Sequence, residues 1–180
     1  MKVFDRVGKG TQIAKLKRYL EEKGQLVHVI HYSNIKGDDI RNRSEQYYHQ
    51  MFDTIKFATL NNLTLILDRA HGGETVYSPV YRGYEGDYVY YLEQRFGKRI
   101  LDNVTMFVFT DEAENLIERD DGLSFSTDLE KKKDEIKRFV EFFQRSNIEN
   151  KFLVNINGRD ENVIWDFIKS VIEHGDENDI

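Results

Sequence analysis

The run Gly8-Lys9-Gly10-Thr11-Gln12 has the residue types that bind a polyphosphate. Glycine lets backbone N–H groups approach an anion closely, and the apolar periodicity that begins at Ile13 predicts a helix whose N-terminus points at that anion. Lys9 would reach the β- and γ-phosphates, and the Thr11 hydroxyl is the nearest candidate to help hold Mg²⁺. A glycine turn before an ordinary helix explains the same residues, because the full phosphate-loop pattern starts with a glycine where this chain has Val3.

Asp68 and Arg69 follow the almost wholly apolar run 63–67, which predicts a strand covered on both faces. A carboxylate at the end of such a strand can bind Mg²⁺ directly or through water. The alternative for Asp68 is a helix N-cap or a turn. Arg69 could bind a phosphate through two parallel hydrogen bonds.

The next segment, HGGETVYSPVYRGY, combines rings, glycines and charge. Its candidate site residues are His71, Glu74, Tyr77, Tyr81 and Arg82. Aromatic rings stack on bases and an arginine binds phosphate, so a nucleotide pocket is one interpretation. The alternatives are tyrosines that pack with a solvated hydroxyl and a histidine that serves as a structural hydrogen-bonding group.

The polar stretch around Arg119-Asp120-Asp121-Gly122 lies between a predicted strand and a predicted helix. A mobile lid that carries an arginine to a transferred phosphate has this composition, and we place such a lid at about 111–128. A solvated loop with local ion pairs is the alternative. Arg41 and Arg43 begin a predicted helix where acids would suit the dipole better, which suggests an anionic ligand or simply solvated surface.

Length and composition restrict the class of protein. A chain of 180 residues predicts a single domain, 1–180, with a sizeable core. The net charge of −6 argues against a polynucleotide partner. The sequence contains no cysteine, which excludes disulfides and thiolate metal sites and fits a cytoplasmic chain. No apolar run approaches membrane-spanning length, so no membrane association is expected.

Hydrophobic periodicity predicts strands that alternate with helices. The predicted strands are 1–4, 26–32, 63–67, 104–109 and 152–156, and the predicted helices are 12–23, 39–61, 88–96, 129–146 and 163–174. A loop is predicted from Ala70 to about Pro79, and a frayed tail from Gly175 onward. This alternation predicts a parallel sheet with helices on both faces and ligands at the carboxyl ends of the strands.

With these segments assembled, the chain resembles the thymidylate kinase family of P-loop nucleoside monophosphate kinases, in a phage-type branch. The resemblance covers nearly the whole chain and rests on FDRVGKGTQIAKLKRYLEEKG, VHVIHYSNIKG, LILDRAHGGETVYSPVYRGY and VFTDEAENLIERDDGLSFS. It implies a three-layer fold with a five-stranded parallel sheet of order 2-3-1-4-5. It also implies transfer of the ATP γ-phosphoryl group to a deoxynucleoside monophosphate, thymidylate by default, with Mg²⁺. A homodimer is common in the family, and the host cytoplasm is the expected location if the chain is phage-encoded.

The resemblance also implies residue roles. ATP would be bound by Gly8, Lys9, Gly10, Thr11 and Gln12. Catalysis would use Lys9, Arg6, Asp68 and the lid arginine Arg119, with Arg6 stabilising the migrating phosphoryl group. The acceptor would be bound by Asp5, Arg69, His71, Glu74, Tyr81, Arg82 and Arg43, with Arg69 on its phosphate.

The start of the chain departs from the family pattern. Val3 stands where the first loop glycine belongs, and Met1-Lys2 stand where the central strand should end, so a truncated first strand is expected. A shortened product, a displaced start site and a degenerate nucleotide site all explain this departure. The alternative function is therefore a catalytically impaired nucleotide-binding homologue or scaffold, and a kinase that acts on polynucleotide 5′-ends is a third hypothesis that the acidic charge disfavours.

Overall fold

The computed structural model describes residues 8–32, 35, 37–120 and 124–176. The predicted strand at 1–4 and the candidate residues Asp5 and Arg6 lie outside this part of the chain. Within it, no helix is long and apolar enough to cross a bilayer.

Strands and helices alternate along the described chain, as predicted. The helices are α1 (Lys9–Glu22), α2 (Ile40–Leu60), α3 (Gly72–Tyr81), α4 (Tyr88–Phe96), α5 (Lys98–Leu101), α6 (Ala113–Glu118), α7 (Leu129–Arg145) and α8 (Glu161–Asp176). The strands are β1 (Val27–His31), β2 (Thr64–Asp68), β3 (Met106–Thr110) and β4 (Lys151–Asn155).

The predicted loop from Ala70 to about Pro79 is wrong, because α3 occupies most of that segment. Glycine and proline disfavour a helix in isolation, but tertiary packing decides here. A Cβ at Gly72 would lie 2.5 Å from Cε1 of Phe142 on α7, so this glycine permits close helix packing. The short helices α5 and α6 were also not predicted, and α8 continues one residue past the predicted start of the tail, to Asp176.

The strands form two parallel pairs, β1 with β2 and β3 with β4. Their registers run from Val27↔Thr64 to His31↔Asp68 and from Met106↔Lys151 to Thr110↔Asn155. These are the outer neighbours of the expected order 2-3-1-4-5, whose central strand would fall at 1–4. The five-strand order therefore stays a prediction.

Helices cover β2 and β3 on both faces. Ile66 of β2 joins a cluster with Ile13, Leu16 and Leu20 of α1, whereas the neighbouring residue Leu67 packs against a larger cluster that contains α2 residues. This alternation follows from the pleat, in which successive side chains point to opposite faces. All five residues of β3 are buried, as expected for a strand covered on both sides.

The start of α1 lies against the start of α8, the helix that follows β4. Gln12 Nε2 donates a hydrogen bond to the backbone oxygen of Glu161 (2.9 Å). Lys15 Nζ lies 2.6 Å from Glu161 Oε1 and 3.0 Å from Asn162 Oδ1. Because the carboxyl ends of paired parallel strands share an edge, these contacts bring the ends of β3 and β4 to the same region as the start of α1.

Candidate phosphate-binding site

The start of α1 is built by a glycine turn. Gly8 immediately precedes the helix with φ 65° and ψ 12°, the left-handed conformation that glycine adopts without a Cβ penalty. Its carbonyl oxygen accepts a hydrogen bond from Gln12 N–H (3.1 Å). The turn places Lys9 as the first residue of α1, three residues earlier than the predicted helix start.

Lys9 and Asp68 form an ion pair between the start of α1 and the end of β2. Lys9 Nζ lies 3.2 Å from Asp68 Oδ1, and the side chains are 8% and 20% exposed. The two residues are distant in sequence, so the sequence predicted each as a candidate without predicting their contact. The structure brings them together at the carboxyl end of a parallel strand, where ligands bind in such folds.

His31 is a third member of this group, which sequence reasoning missed. The β1–β2 register places His31 directly beside Asp68, and His31 Nδ1 lies 2.7 Å from Asp68 Oδ2. The available signal was a histidine at the end of a strand whose parallel neighbour ends in an aspartate. We call His31, Asp68 and Lys9 the edge triad.

The edge triad keeps Asp68 ionised. Burial raises the pKa of Asp68, but the charge of Lys9 and the hydrogen bond to His31 lower it by more, so the pKa lies below the ordinary value of 3.8. Asp68 is therefore a carboxylate at neutral pH, able to hold an ammonium group or a divalent cation.

Arg69 has a strained backbone. Its φ of 68° is left-handed, a conformation that costs a non-glycine residue roughly 1–3 kcal/mol. Such strain is concentrated at functional sites, where the surrounding structure enforces it. The position next to Asp68 makes Arg69 a candidate for anion binding.

Two oxygen donors of the candidate site are of the kind that Mg²⁺ prefers. Among the described residues, no group of three or more carboxylate or histidine side chains forms a metal cluster. Mg²⁺ at phosphate-transfer sites needs one or two carboxylates, because phosphate oxygens and waters complete its octahedron. An ionised Asp68 and the exposed Thr11 in the first turn of α1 are hard oxygen donors of the required kind.

A second carboxylate, Asp111, lies directly after β3, with its side chain fully buried. It accepts hydrogen bonds from Glu112 N–H, Asn115 Nδ2 and Arg119 Nη1, each at 2.8 Å. Arg119 follows α6 and keeps 44% of its side chain exposed. The predicted lid therefore begins with a short helix, whose following arginine is tied to the end of β3, and residues 121–123 of the lid lie outside the described part of the chain.

Glu74 and Arg82 form a pair that is screened from solvent. Glu74 is 1% exposed, and Arg82 Nη1 donates to its Oε2 (2.9 Å). Tyr84 and Tyr88 donate to Oε1 at 2.6 and 3.0 Å. Burial and the charge of Glu74 raise the pKa of Tyr88, which keeps its hydroxyl protonated as a donor.

His71 points into the core. It is 2% exposed, and its Nε2 lies 2.6 Å from Glu93 Oε1. Ser146 Oγ and Asn147 N–H also donate to Glu93, at 2.8 and 2.7 Å. Burial raises the pKa of Glu93, but His71 and these donors lower it by more, so it lies below the ordinary value of 4.5. In this arrangement His71 supports the core.

Tyr81 lies at the end of α3, and its hydroxyl donates to the buried Glu135 of α7. Lys132 Nζ lies 3.0 Å from the same carboxylate and is also buried. The run Lys131-Lys132-Lys133 would suggest a solvated helix face from its charge alone, and the burial of Lys132 shows that this interpretation is wrong for that residue. Arg43 lies in the first turn of α2. Its guanidinium packs against Gly37 so closely that a Cβ at position 37 would lie 2.8 Å from Arg43 Nη1.

No protein-family model matches this sequence, and no curated protein sequence matches it significantly. Among solved structures, the chain is similar to the thymidylate kinase from Candida albicans, with a TM-score of 0.60. The alignment covers 97% of this chain and 90% of that chain, at 14% sequence identity. The chain therefore has a thymidylate kinase-like α/β fold.

Proposed function

We propose that this chain transfers the γ-phosphoryl group of ATP to a deoxynucleoside monophosphate, with thymidylate as the first candidate, as a phage-type member of the thymidylate kinase family. One observation carries the proposal: Lys9 is held at the start of a glycine-led helix beside an ionised Asp68 at the end of a parallel strand, 3.2 Å away. The thymidylate kinase-like fold supports it. The proposed unit is a single domain, 1–180, with a lid at about 111–128.

On the ATP side, Gly8, Gly10 and Thr11 present backbone N–H groups to the phosphates at the positive end of the α1 dipole. Gln12 belongs to the same proposed ATP site, although its own N–H is bonded to the Gly8 oxygen (3.1 Å). Lys9 is a compact charge on a flexible stem, so it can leave Asp68 and reach the β- and γ-phosphates. Asp68 and Thr11 would hold Mg²⁺, which supplies charge neutralisation at those phosphates when bound.

On the acceptor side, Arg69 binds the monophosphate, because it follows Asp68 directly and so lies at the same strand end as the donor phosphates. Arg82 and Tyr81 contribute to the acceptor pocket, and the buried Glu74 and His71 act by holding α3 in place. Asp5 near the acceptor and Arg6 at the migrating phosphoryl group keep their proposed roles outside the described residues. Arg43 is proposed as a further acceptor contact.

Arg119 stabilises the charge that develops on the transferred phosphoryl group. The expected partners are ATP and the monophosphate in the cytoplasm, without a polynucleotide or a membrane, and a homodimer is a candidate assembly because it is common in the family. These statements on assembly and location rest on the family resemblance.

The test is an ATP-dependent assay against the four common deoxynucleoside monophosphates, with ATP·Mg²⁺ titrated separately. Arg69→Ala should raise the KM for the monophosphate about tenfold or more, the effect of losing a charge-assisted pair, while ATP affinity stays within about twofold. Arg18→Ala is the control, because Arg18 is an exposed arginine on α1 that pairs with Glu22.

The outcomes separate the hypotheses. If Arg69→Ala weakens monophosphate use and ATP binding equally, the assignment of Arg69 to the acceptor phosphate is wrong. ATP binding without transfer to any monophosphate would favour the impaired nucleotide-binding homologue. A chain that folds but binds no ATP would overturn the proposed function.

A further inference from the structure

Asp111 carries a buried charge for which the proposed reaction has no direct use. Its side chain is fully buried, and removal of a carboxylate from water is costly unless a cation and hydrogen bonds compensate it. Two of its donors are neutral amides, Glu112 N–H and Asn115 Nδ2. The third is the guanidinium of Arg119, which supplies the compensating charge.

Arg119 is anchored through one nitrogen. Nη1 lies 2.8 Å from Asp111 Oδ2, yet 44% of the Arg119 side chain remains exposed. A guanidinium has five N–H donors in a rigid plane, so one carboxylate contact leaves donors for a second anion. A lysine in the same place would carry its three N–H donors on one nitrogen and would lack this rigid planar arrangement.

The anchor is connected to the edge where the phosphates are proposed to bind. Asn115 Nδ2 also lies 3.1 Å from Asn157 Oδ1, and Asn157 Nδ2 donates to Glu112 Oε1 (2.7 Å). Asn157 follows β4 and precedes α8, whose first residue, Glu161, contacts Gln12 and Lys15 of α1. Hydrogen bonds thus connect the start of the proposed lid to the segment before α8, and α8 in turn contacts α1.

We propose that Asp111 is a positioning residue, which holds the guanidinium of Arg119 by one nitrogen so that its remaining donors bind a phosphate group of the nucleotide. This inference rests on the proposed function for the identity of the ligand. The contrary possibility is a competing contact, in which Asp111 must release Arg119 before an anion binds. The two make opposite predictions for removal of the Asp111 charge.

The experiment measures tripolyphosphate binding to the full chain by calorimetry, so that it does not depend on catalysis. Asp111→Asn keeps the size of the side chain but removes its charge, and it should weaken tripolyphosphate binding about tenfold, the worth of one charge-assisted hydrogen bond. Arg119→Gln should weaken binding by a similar factor. The double variant should be no weaker than Arg119→Gln, because Asp111 acts through Arg119.

A conservative background separates positioning from a structural role. In the Arg119→Lys background, Asp111→Asn should cost less than about twofold, because an ammonium has no planar set of donors for Asp111 to orient. A purely structural role of Asp111 would cost the same factor in both backgrounds. Asp87→Asn is the matched control, because Asp87 forms an exposed pair with Arg145 (2.9 Å) on another part of the protein.

Each outcome either supports or overturns the positioning role of Asp111. Weaker binding in Asp111→Asn only when Arg119 is present supports positioning, even if the wild type shows no transfer and the proposed function fails. Unchanged or tighter binding in Asp111→Asn overturns the proposal. A wild type that binds no tripolyphosphate overturns both, and thermal unfolding of every variant excludes loss of fold as the cause.

Discussion

Two histidine–carboxylate pairs in this protein have similar chemistry and opposite surroundings. His31 Nδ1 lies 2.7 Å from Asp68 Oδ2, and His71 Nε2 lies 2.6 Å from Glu93 Oε1. In the first pair the histidine side chain is 51% exposed and the aspartate 20%, whereas in the second they are 3% and 0% exposed. Both carboxylates have pKa values below the ordinary range, for related reasons.

The two carboxylates differ in the groups that form their remaining contacts. Glu93 is satisfied by fixed groups of the protein, Ser146 Oγ and Asn147 N–H, which connect α4 to the end of α7. Asp68 faces the ammonium group of Lys9, and its side chain remains 20% exposed. A low carboxylate pKa therefore does not by itself mark a functional site. What distinguishes the edge triad from the buried pair is that its carboxylate is partly exposed and that its partner Lys9 can move to another anion.

The largest expected effect is on stability, from Glu93→Ala. The change leaves the buried His71 and Ser146 and the N–H group of Asn147 without their acceptor, which should cost about 3–5 kcal/mol of unfolding free energy. The unfolding temperature should fall by roughly 6–20 °C. Turnover per folded molecule should be retained, and a stable variant that has lost turnover would break the comparison.

The next largest effect is expected from Lys9→Ala, and it concerns turnover instead of stability. Loss of one electrostatic stabiliser of the phosphates should lower kcat by about 10²-fold or more. The unfolding free energy should change by at most about 1 kcal/mol, because the Asp68 left behind is partly exposed and can be hydrated. Lys17→Ala, on the exposed side of α1, is the control, and full turnover by Lys9→Ala would remove the phosphate-loop assignment.

The smallest expected effect is a pH dependence of the unfolding free energy. It distinguishes the buried His71–Glu93 pair from carboxylates on the surface. Because the pKa of Glu93 is depressed on folding, its contribution is complete above the ordinary value of 4.5 and is lost as the pH falls through the lower folded value. The difference in unfolding free energy between wild type and Glu93→Gln should therefore shrink on acidification from about pH 6 to about pH 3.

Urea unfolding at several pH values measures this difference. Glu130→Gln, at an exposed carboxylate with an 81% exposed side chain, should show a small difference at every pH. A gap between wild type and Glu93→Gln that widens on acidification would contradict the assigned direction of the pKa shift.

Local patterns predicted much of the secondary structure. The helices α1, α2, α4, α7 and α8 and the described strands follow from periodicity and apolar runs, with shifts of a few residues at their ends. The element α3 was missed because its glycines and Pro79 resemble a loop when read locally, whereas contact with Phe142 makes glycine the fitting residue at position 72.

By itself, the sequence determined which residues stand at element boundaries: a lysine at the start of a glycine-led helix, an Asp-Arg pair at the end of an apolar strand, and an arginine between a strand and a helix. Propensity and spacing act over a few residues, so they carry this information. Only the tertiary structure decided which of these groups meet. Strand register placed His31 beside Asp68, and packing buried Asp111 against Arg119 and turned His71 inward. Such contacts join residues far apart in sequence, and their geometry follows from how the whole core packs.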